Sequence, residues 1–263
     1  MRVEPGWCVV LGASSGFGAA AARAFAAAGL DVAGVHLDRR VTLPNALAVR
    51  AAVEGAGRRA LFVNANAADE KRRAAIVDAL REAVGDGPGV RVLLHSLAFG
   101  ALGPLVTREP GAAVRPAQLA MTLEVMATSL VDWAQALHAA DLLARGARIF
   151  AMTSEGGRRA VPGYGPVGIA KAALEAAVRQ LALELAPQEV TVNAVCAGVT
   201  DTAALRAIPG HEAMLAEARR RNPRGRLTTP EDVARALVAL SLPEAGWISG
   251  NVLHVDGGEG ITS

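Results

Sequence analysis

One tyrosine, Tyr164, occurs in the 263-residue chain, and it stands seven positions ahead of Lys171 in P-G-Y-G-P-V-G-I-A-K. A phenol beside an ammonium can do acid–base work. The free phenol titrates near about 10, and a neighbouring positive charge favours its ionised form, making it a better proton donor and a better partner for a nascent oxyanion. Seven residues of helix make about two turns, which returns a side chain to nearly the same face. Pro166 fits the first helical turn, so Tyr164 rides the loop entering the helix while Lys171 is fixed inside it. Both groups can then point at one ligand. Taken alone, the pair reads equally well as an interfacial tyrosine and a lysine whose stem lies along apolar surface. What weighs against that reading lies upstream.

After a first apolar run comes L-G-A-S-S-G-F-G, in which Gly12, Gly16 and Gly18 flank Phe17 at the turn into an alanine-rich segment. Backbone amides there can approach a phosphate pair without Cβ atoms in the way, and the following helix dipole stabilises the anion. Ser14 and Ser15 add hydroxyl donors. A dinucleotide is the expected ligand. Asn66 and Ala67 follow the third apolar run, where an asparagine can meet an adenine edge or simply form a turn. Ser96, Leu97 and Ala98 end the fourth run, in the crevice outside the carboxyl ends of the strands. The second run ends H-L-D-R-R, which offers both an acid for a ribose hydroxyl, Asp38, and arginines for a 2′-phosphate, Arg39 and Arg40. Asp38 falls late for an NAD-selecting carboxylate, so the reading favours NADPH and leaves NADH open.

The elements that must position these groups follow from hydrophobic period. Short β-branched runs recur at 7–11, 31–36, 60–63, 90–95, 147–152, 190–195 and 252–255. Helical spacing links them at Ala19–Ala28, Lys71–Val84, Leu119–Leu143 and Ile169–Leu185. This β-α alternation predicts an α/β fold, a single doubly wound Rossmann domain over 1–263. Its seven-stranded parallel sheet, in the order 3-2-1-4-5-6-7, carries helices on both faces. Thr200–Arg226, with its prolines, glycines and arginines, reads as a mobile insertion at the sheet edge. With 52% hydrophobic and 20% charged residues the chain can bury a core. A formal charge of +2 and 3% aromatics give no purchase for nucleic acid. No run is apolar enough for a membrane span, and the amino terminus shows no secretory signal, so a cytoplasmic protein is expected. Cys8 and Cys196 sit far apart in apolar runs and read as buried small hydrophobes.

Along nearly its whole length the sequence resembles the short-chain dehydrogenase/reductase superfamily. The matching residues are G-A-S-S-G-F-G, Ser154, Tyr164, Lys171, N-A-V-C-A-G at 193–198 and V-D-G-G at 255–258. Ordinary members carry asparagine, serine, tyrosine and lysine at positions that here are Met126, Ser154, Val167 and Lys171, so two of the four differ. Moving the tyrosine to seven before the lysine is a feature of the bacterial enoyl-acyl-carrier-protein reductases, which this chain also resembles at L-L-H-S-L-A-F-G, R-A-V-P-G-Y and A-G-V-T-D-T. Ser154 places it nearest the serine-containing, NADPH-using branch. The resemblance implies reduction of a trans-2-enoyl thioester of acyl carrier protein or coenzyme A. Tyr164 would stabilise the enolate oxygen, Lys171 would hold the cofactor ribose and Ser154 would orient the thioester. It further implies that Val199 meets the nicotinamide amide and Thr202 the pyrophosphate, and that 203–226 forms a substrate lid. Arg206, Arg219, Arg220 and Arg221 on that lid would attract an acidic carrier protein. A homotetramer is implied as well. Carbonyl or alcohol oxidoreduction within the same superfamily is the alternative, and a non-catalytic nucleotide-binding protein a more distant one.

Overall fold

The computed structural model describes residues 3–208 and 210–262. Its strands are β1 (Trp7–Leu11), β2 (Asp31–His36), β3 (Ala60–Asn64), β4 (Val90–His95), β5 (Leu143–Thr153), β6 (Thr191–Ala197) and β7 (Val252–Val255). All pair in parallel, in the order β3-β2-β1-β4-β5-β6-β7. The expected sheet is the observed one. In chain order the helices are α1 (Gly16–Ala27), α2 (Leu43–Gly55), α3 (Glu70–Val84), α4 (Pro116–Leu123), α5 (Ser129–Ala139), α6 (Gly165–Glu184), α7 (Ala203–Arg206), α8 (His211–Arg221) and α9 (Pro230–Leu240).

Successive side chains of a strand point to opposite faces, so each central strand feeds two cores. Val9 and Leu11 enter one with Leu80, Trp133 and Leu174, while Cys8 and Val10 enter the other with Phe25, Val49 and Leu237. Helices α3, α5 and α6 cover the first face, and α1, α2 and α9 the second. Burial on both sides explains why W-C-V-V-L is apolar without alternation.

Three departures concern helices. The single helix expected over Leu119–Leu143 is α4, a π turn at Glu124–Thr128, then α5, and the chain has already entered β5 at Leu143. The stretch read as loose, Thr200–Arg226, contains α7 and α8. Helices α2 and α9 were not foreseen, although α9 carries an audible start signal. Thr229 Oγ1 accepts from the Asp232 N–H at 3.2 Å and Asp232 Oδ2 accepts from the Thr229 N–H at 3.0 Å, with Pro230 in the first turn. Among the described residues no helix is long and apolar enough to cross a membrane.

Candidate active site

At the carboxyl end of β5 the chain turns sharply, and Ser154 there faces Tyr164, the residue immediately before α6, with 3.4 Å between the two hydroxyl oxygens. The turn fits because Gly156 has no side chain. A Cβ at that position would lie 2.4 Å from Tyr164 Cε1. The ring packs against the apolar cluster of Ala68, Val125, Met126, Val167 and Ala170, so the two positions that depart from the ordinary superfamily pattern belong to the wall that supports the phenol. Met126 lies in the π turn, a helix defect common at functional sites.

Lys171 is buried one helical stretch further on, and its ammonium donates to the Met152 carbonyl at 2.7 Å. Burial pushes it down to about 8, while Glu175 and Cys196 pull the other way. Burial likewise raises the Tyr164 phenol, against a lowering hydrogen bond from Ser154. The sequence reading, in which the ammonium lowers the phenol, is corrected here. One of the lysine's three N–H donors goes to a β5 carbonyl, and Ser154 is the phenol's hydrogen-bonding partner. Glu175, one turn beyond Lys171, accepts from Thr153 Oγ1 at 2.8 Å and so ties the end of β5 to α6.

His95, at the end of β4, has a function in this arrangement that its motif did not disclose. It is buried and pushed down to about 3, first by burial and then by the charge of Lys171, so the imidazole is neutral. Its Nε2 lies 2.8 Å from Ser129 Oγ, whose hydroxyl donates to Val125 O in the π turn. That chain holds the wall behind Tyr164 to the sheet.

The glycine-rich turn lies across the crevice. Gly12 has φ +91°, and a Cβ on it would sit 2.4 Å from the Ser96 carbonyl; one on Gly18 would sit 2.1 Å from the Gly12 carbonyl. Strand β4 and α1 therefore close on the turn as only glycine permits. Ser96 is fastened by its N–H to Leu11 O at 2.9 Å, with Leu97 beside Gly12. Ser15 is exposed and makes no side-chain cap to α1, and no acidic residue lies in that helix's first turn. The first amides and the Ser15 hydroxyl thus fit an anion. Thr202 packs its methyl toward Gly16 and caps α7, its Oγ1 accepting from the Leu205 N–H at 3.2 Å.

Other expected contacts are partly engaged. Asn66 Oδ1 accepts from the Ala68 N–H at 3.1 Å, the turn-forming role, and the Ala67 carbonyl accepts from Trp133 Nε1 at 2.8 Å. Ala98 is exposed at the mouth. The Val199 N–H donates to Glu259 Oε2 at 3.0 Å, leaving its carbonyl for a ligand's amide. Burial would raise the Asp38 carboxyl, but hydrogen bonds with Thr42, Ser14 and His36 outweigh it and hold the group below the usual carboxylate range. Arg39 and Arg40 are exposed beside it.

The basic face expected on the lid is largely neutralised. Arg206 pairs with Asp201 at 2.7 Å, Arg220 with Glu217 at 2.6 Å and Arg221 with Glu259 at 3.2 Å. Charges so paired project little field. Of the four arginines, only Arg219 has no acidic partner among the described residues.

The sequence profile of the enoyl-(acyl carrier protein) reductases matches residues 12–259, from the glycine-rich turn to the last strand's exit. The chain belongs to that family. This enoyl-reductase family member is 35% identical over 198 residues to an enoyl-[acyl-carrier-protein] reductase [NADH] of Nostoc sp., covering 75% of this chain and 74% of the relative. It superposes with a TM-score of 0.84 on the Aquifex aeolicus enoyl-[acyl-carrier-protein] reductase (NADH), at 25% identity over 98% of this chain and 97% of that one. With a Burkholderia cenocepacia short chain dehydrogenase solved in complex with NADP the TM-score is 0.83, at 31% identity over 96% and 97%. The protein is therefore an oxidoreductase of the short-chain dehydrogenase/reductase superfamily, on the enoyl-reductase side, with relatives that use either nicotinamide cofactor.

Proposed function

We propose that the protein reduces the trans-2 double bond of an enoyl thioester carried by acyl carrier protein or coenzyme A. The observation that carries this reading is Tyr164 paired with Ser154 at 3.4 Å against a wall in which Met126 and Val167 are apolar. Reduction at the β-carbon leaves negative charge on the thioester oxygen, and a single preorganised hydroxyl can meet it. Reduction of a ketone instead demands a proton delivered to an alkoxide, and the buried Met126 offers no relay. Gly12, Gly16, Gly18, Ser14, Ser15 and Thr202 would hold a dinucleotide's phosphates, Asn66, Ala67, Ser96, Leu97 and Ala98 would flank its adenosine half, and Lys171 would donate to a ribose hydroxyl. When bound, the nicotinamide supplies the hydride. Tyr164 holds its proton toward the thioester oxygen, Ser154 orients the phenol, and the wall behind it excludes water. Helices α7 and α8 would cover the acyl chain.

The reading extends to NADPH. Three donors already occupy the Asp38 carboxylate, which reduces its capacity to accept from a ribose hydroxyl, and Arg39 and Arg40 stand free beside it for a 2′-phosphate. Steady-state assays with each cofactor are expected to give the higher kcat/KM with NADPH, and Arg39→Ala to reduce that preference by about tenfold, the loss of one charge-assisted contact. A higher kcat/KM with NADH in the wild type would turn the choice to NADH, and an unchanged preference in Arg39→Ala would remove Arg39 from it.

The reaction itself is tested by assaying a crotonyl and an acetoacetyl thioester side by side. Turnover of the crotonyl thioester is expected, with Tyr164→Phe lowering kcat by about 10²–10³, the cost of removing one oxyanion donor, and cofactor affinity nearly unchanged. Faster turnover of the acetoacetyl thioester would favour carbonyl reduction. Cofactor binding with neither activity would leave a nucleotide-binding protein.

A further inference from the structure

Just behind the active-site turn lies a group of side chains that the reductase reading does not use. Cys196 and His254 are register partners on the adjacent parallel strands β6 and β7, and Thr153 pairs with Cys196 on the other side, so Glu155, two residues after Thr153, falls beside them. Glu155 Oε1 lies 3.7 Å from Cys196 Sγ and 3.5 Å from His254 Nδ1, and the three ligand atoms are all within 4.8 Å of one another. These separations are close to the edges of a tetrahedron drawn around an ion with metal–sulfur and metal–oxygen or –nitrogen bonds of about 2.3 and 2.0–2.2 Å.

We propose that Glu155, Cys196 and His254 form a zinc-binding site with its fourth position open to solvent. A thiolate, an imidazole nitrogen and a carboxylate are a donor set that suits a borderline-soft divalent ion. Two negative ligands neutralise its charge. Cys196 is buried while His254 is exposed and Glu155 partly so, which gives a hydrated ion a route to the sulfur. Electrostatics favour a cation as well. The Glu155 carboxylate lies against the sulfur. Two positive groups stand near: Arg159, 3.2 Å from Glu155 on an exposed side chain, and the buried Lys171, whose charge Cys196 also feels. Asp256 Oδ2, 3.7 Å from His254 Nδ1, accepts from the Gly260 N–H and fixes a further negative charge behind the imidazole. Binding forms a zinc–sulfur bond and releases the thiol proton to water, with no change of oxidation state.

The site is tested on the full chain, first treated with chelator. Cobalt(II) is expected to produce a thiolate-to-metal charge-transfer band in the near ultraviolet, and zinc sulfate to abolish it by competition. Cys8→Ser, which removes the other thiol, should keep the band, and Cys196→Ser should lose it. His254→Gln, a change at an exposed side chain that leaves the core alone, should weaken zinc by more than about tenfold, since even outer-shell partners of metal ligands are worth that much. Absence of the band in the wild-type protein, its survival in Cys196→Ser, or zinc affinity unaltered in His254→Gln would each overturn the proposal. The outcome does not depend on which thioester the enzyme reduces.

Discussion

With its ammonium buried and held by the Met152 carbonyl at 2.7 Å, Lys171 titrates at about 8, well below the ordinary lysine value. Two measurements should report this, in opposite directions. Between about 8 and the unfolded value near 10.4, the unfolded chain binds the extra proton, so stability rises with pH across that window. Over the same window the proposed ribose contact loses its charge, so cofactor affinity should fall. Lys171→Met is expected to flatten both profiles, in denaturant titrations and in cofactor binding by calorimetry. A decline in affinity that persisted in the variant would assign it elsewhere. Burial raises the Tyr164 phenol, which moves its own ionisation away from that of Lys171. Tyr164 and Lys171 were legible as a pair because no other tyrosine competes for the role. Their electrostatics were not, since burial outweighs any direct influence of one charge on the other.

At the scale of elements, the active-site turn depends on Gly156. Its missing Cβ lets the turn after β5 lie under the Tyr164 ring, and Gly156→Ala would force the two apart from a 2.4 Å approach. A displacement of about 1 Å at a reacting group can cost about a hundredfold, so kcat should fall by that order while cofactor affinity, set across the crevice, changes little. Wild-type turnover in Gly156→Ala would mean that the ring's position is not critical. Sequence period located this turn only indirectly. It found β5 by its apolar run, yet the same logic merged α4, the π turn and α5 into one helix, because a single inserted residue in a helical turn leaves the hydrophobic pattern almost unaltered. Helix α9, by contrast, announces itself in T-P-E-D, where a capping box from Thr229 to Asp232 encloses a proline at the first helical position.

Across the whole molecule, two large apolar side chains in the segments before and after β7 stand almost fully in water, Trp247 at 99% exposure and Ile261 at 89%. Burying side chains of this kind is worth about 1.5–3 kcal/mol each. Trp247 is expected to lie against another copy of the chain if the homotetramer that the sequence resemblance implies forms. Sedimentation velocity should show an assembly, and Trp247→Glu should shift it toward smaller species. A wild-type monomer would count against the interface.

The strand order follows the β-α alternation of a doubly wound sheet, and the central strands were written in the sequence, because a strand buried on both faces must be apolar throughout. So were the phosphate turn and the spacing of Tyr164 from Lys171, which depend only on local chain geometry. Tertiary structure decided the longer-range pairings. Arg221 read as part of a basic face until the fold set Glu259 against it, and Asp38 read as open until Ser14 from the glycine-rich turn closed on it, whereas Arg206 and Arg220 pair with Asp201 and Glu217 of their own segment. Tertiary structure alone also gathered Glu155, Cys196 and His254, which lie on three separate segments. Period and motif are properties of neighbours along the chain, whereas pairing and burial of polar groups depend on which distant segments the fold brings within a few ångströms.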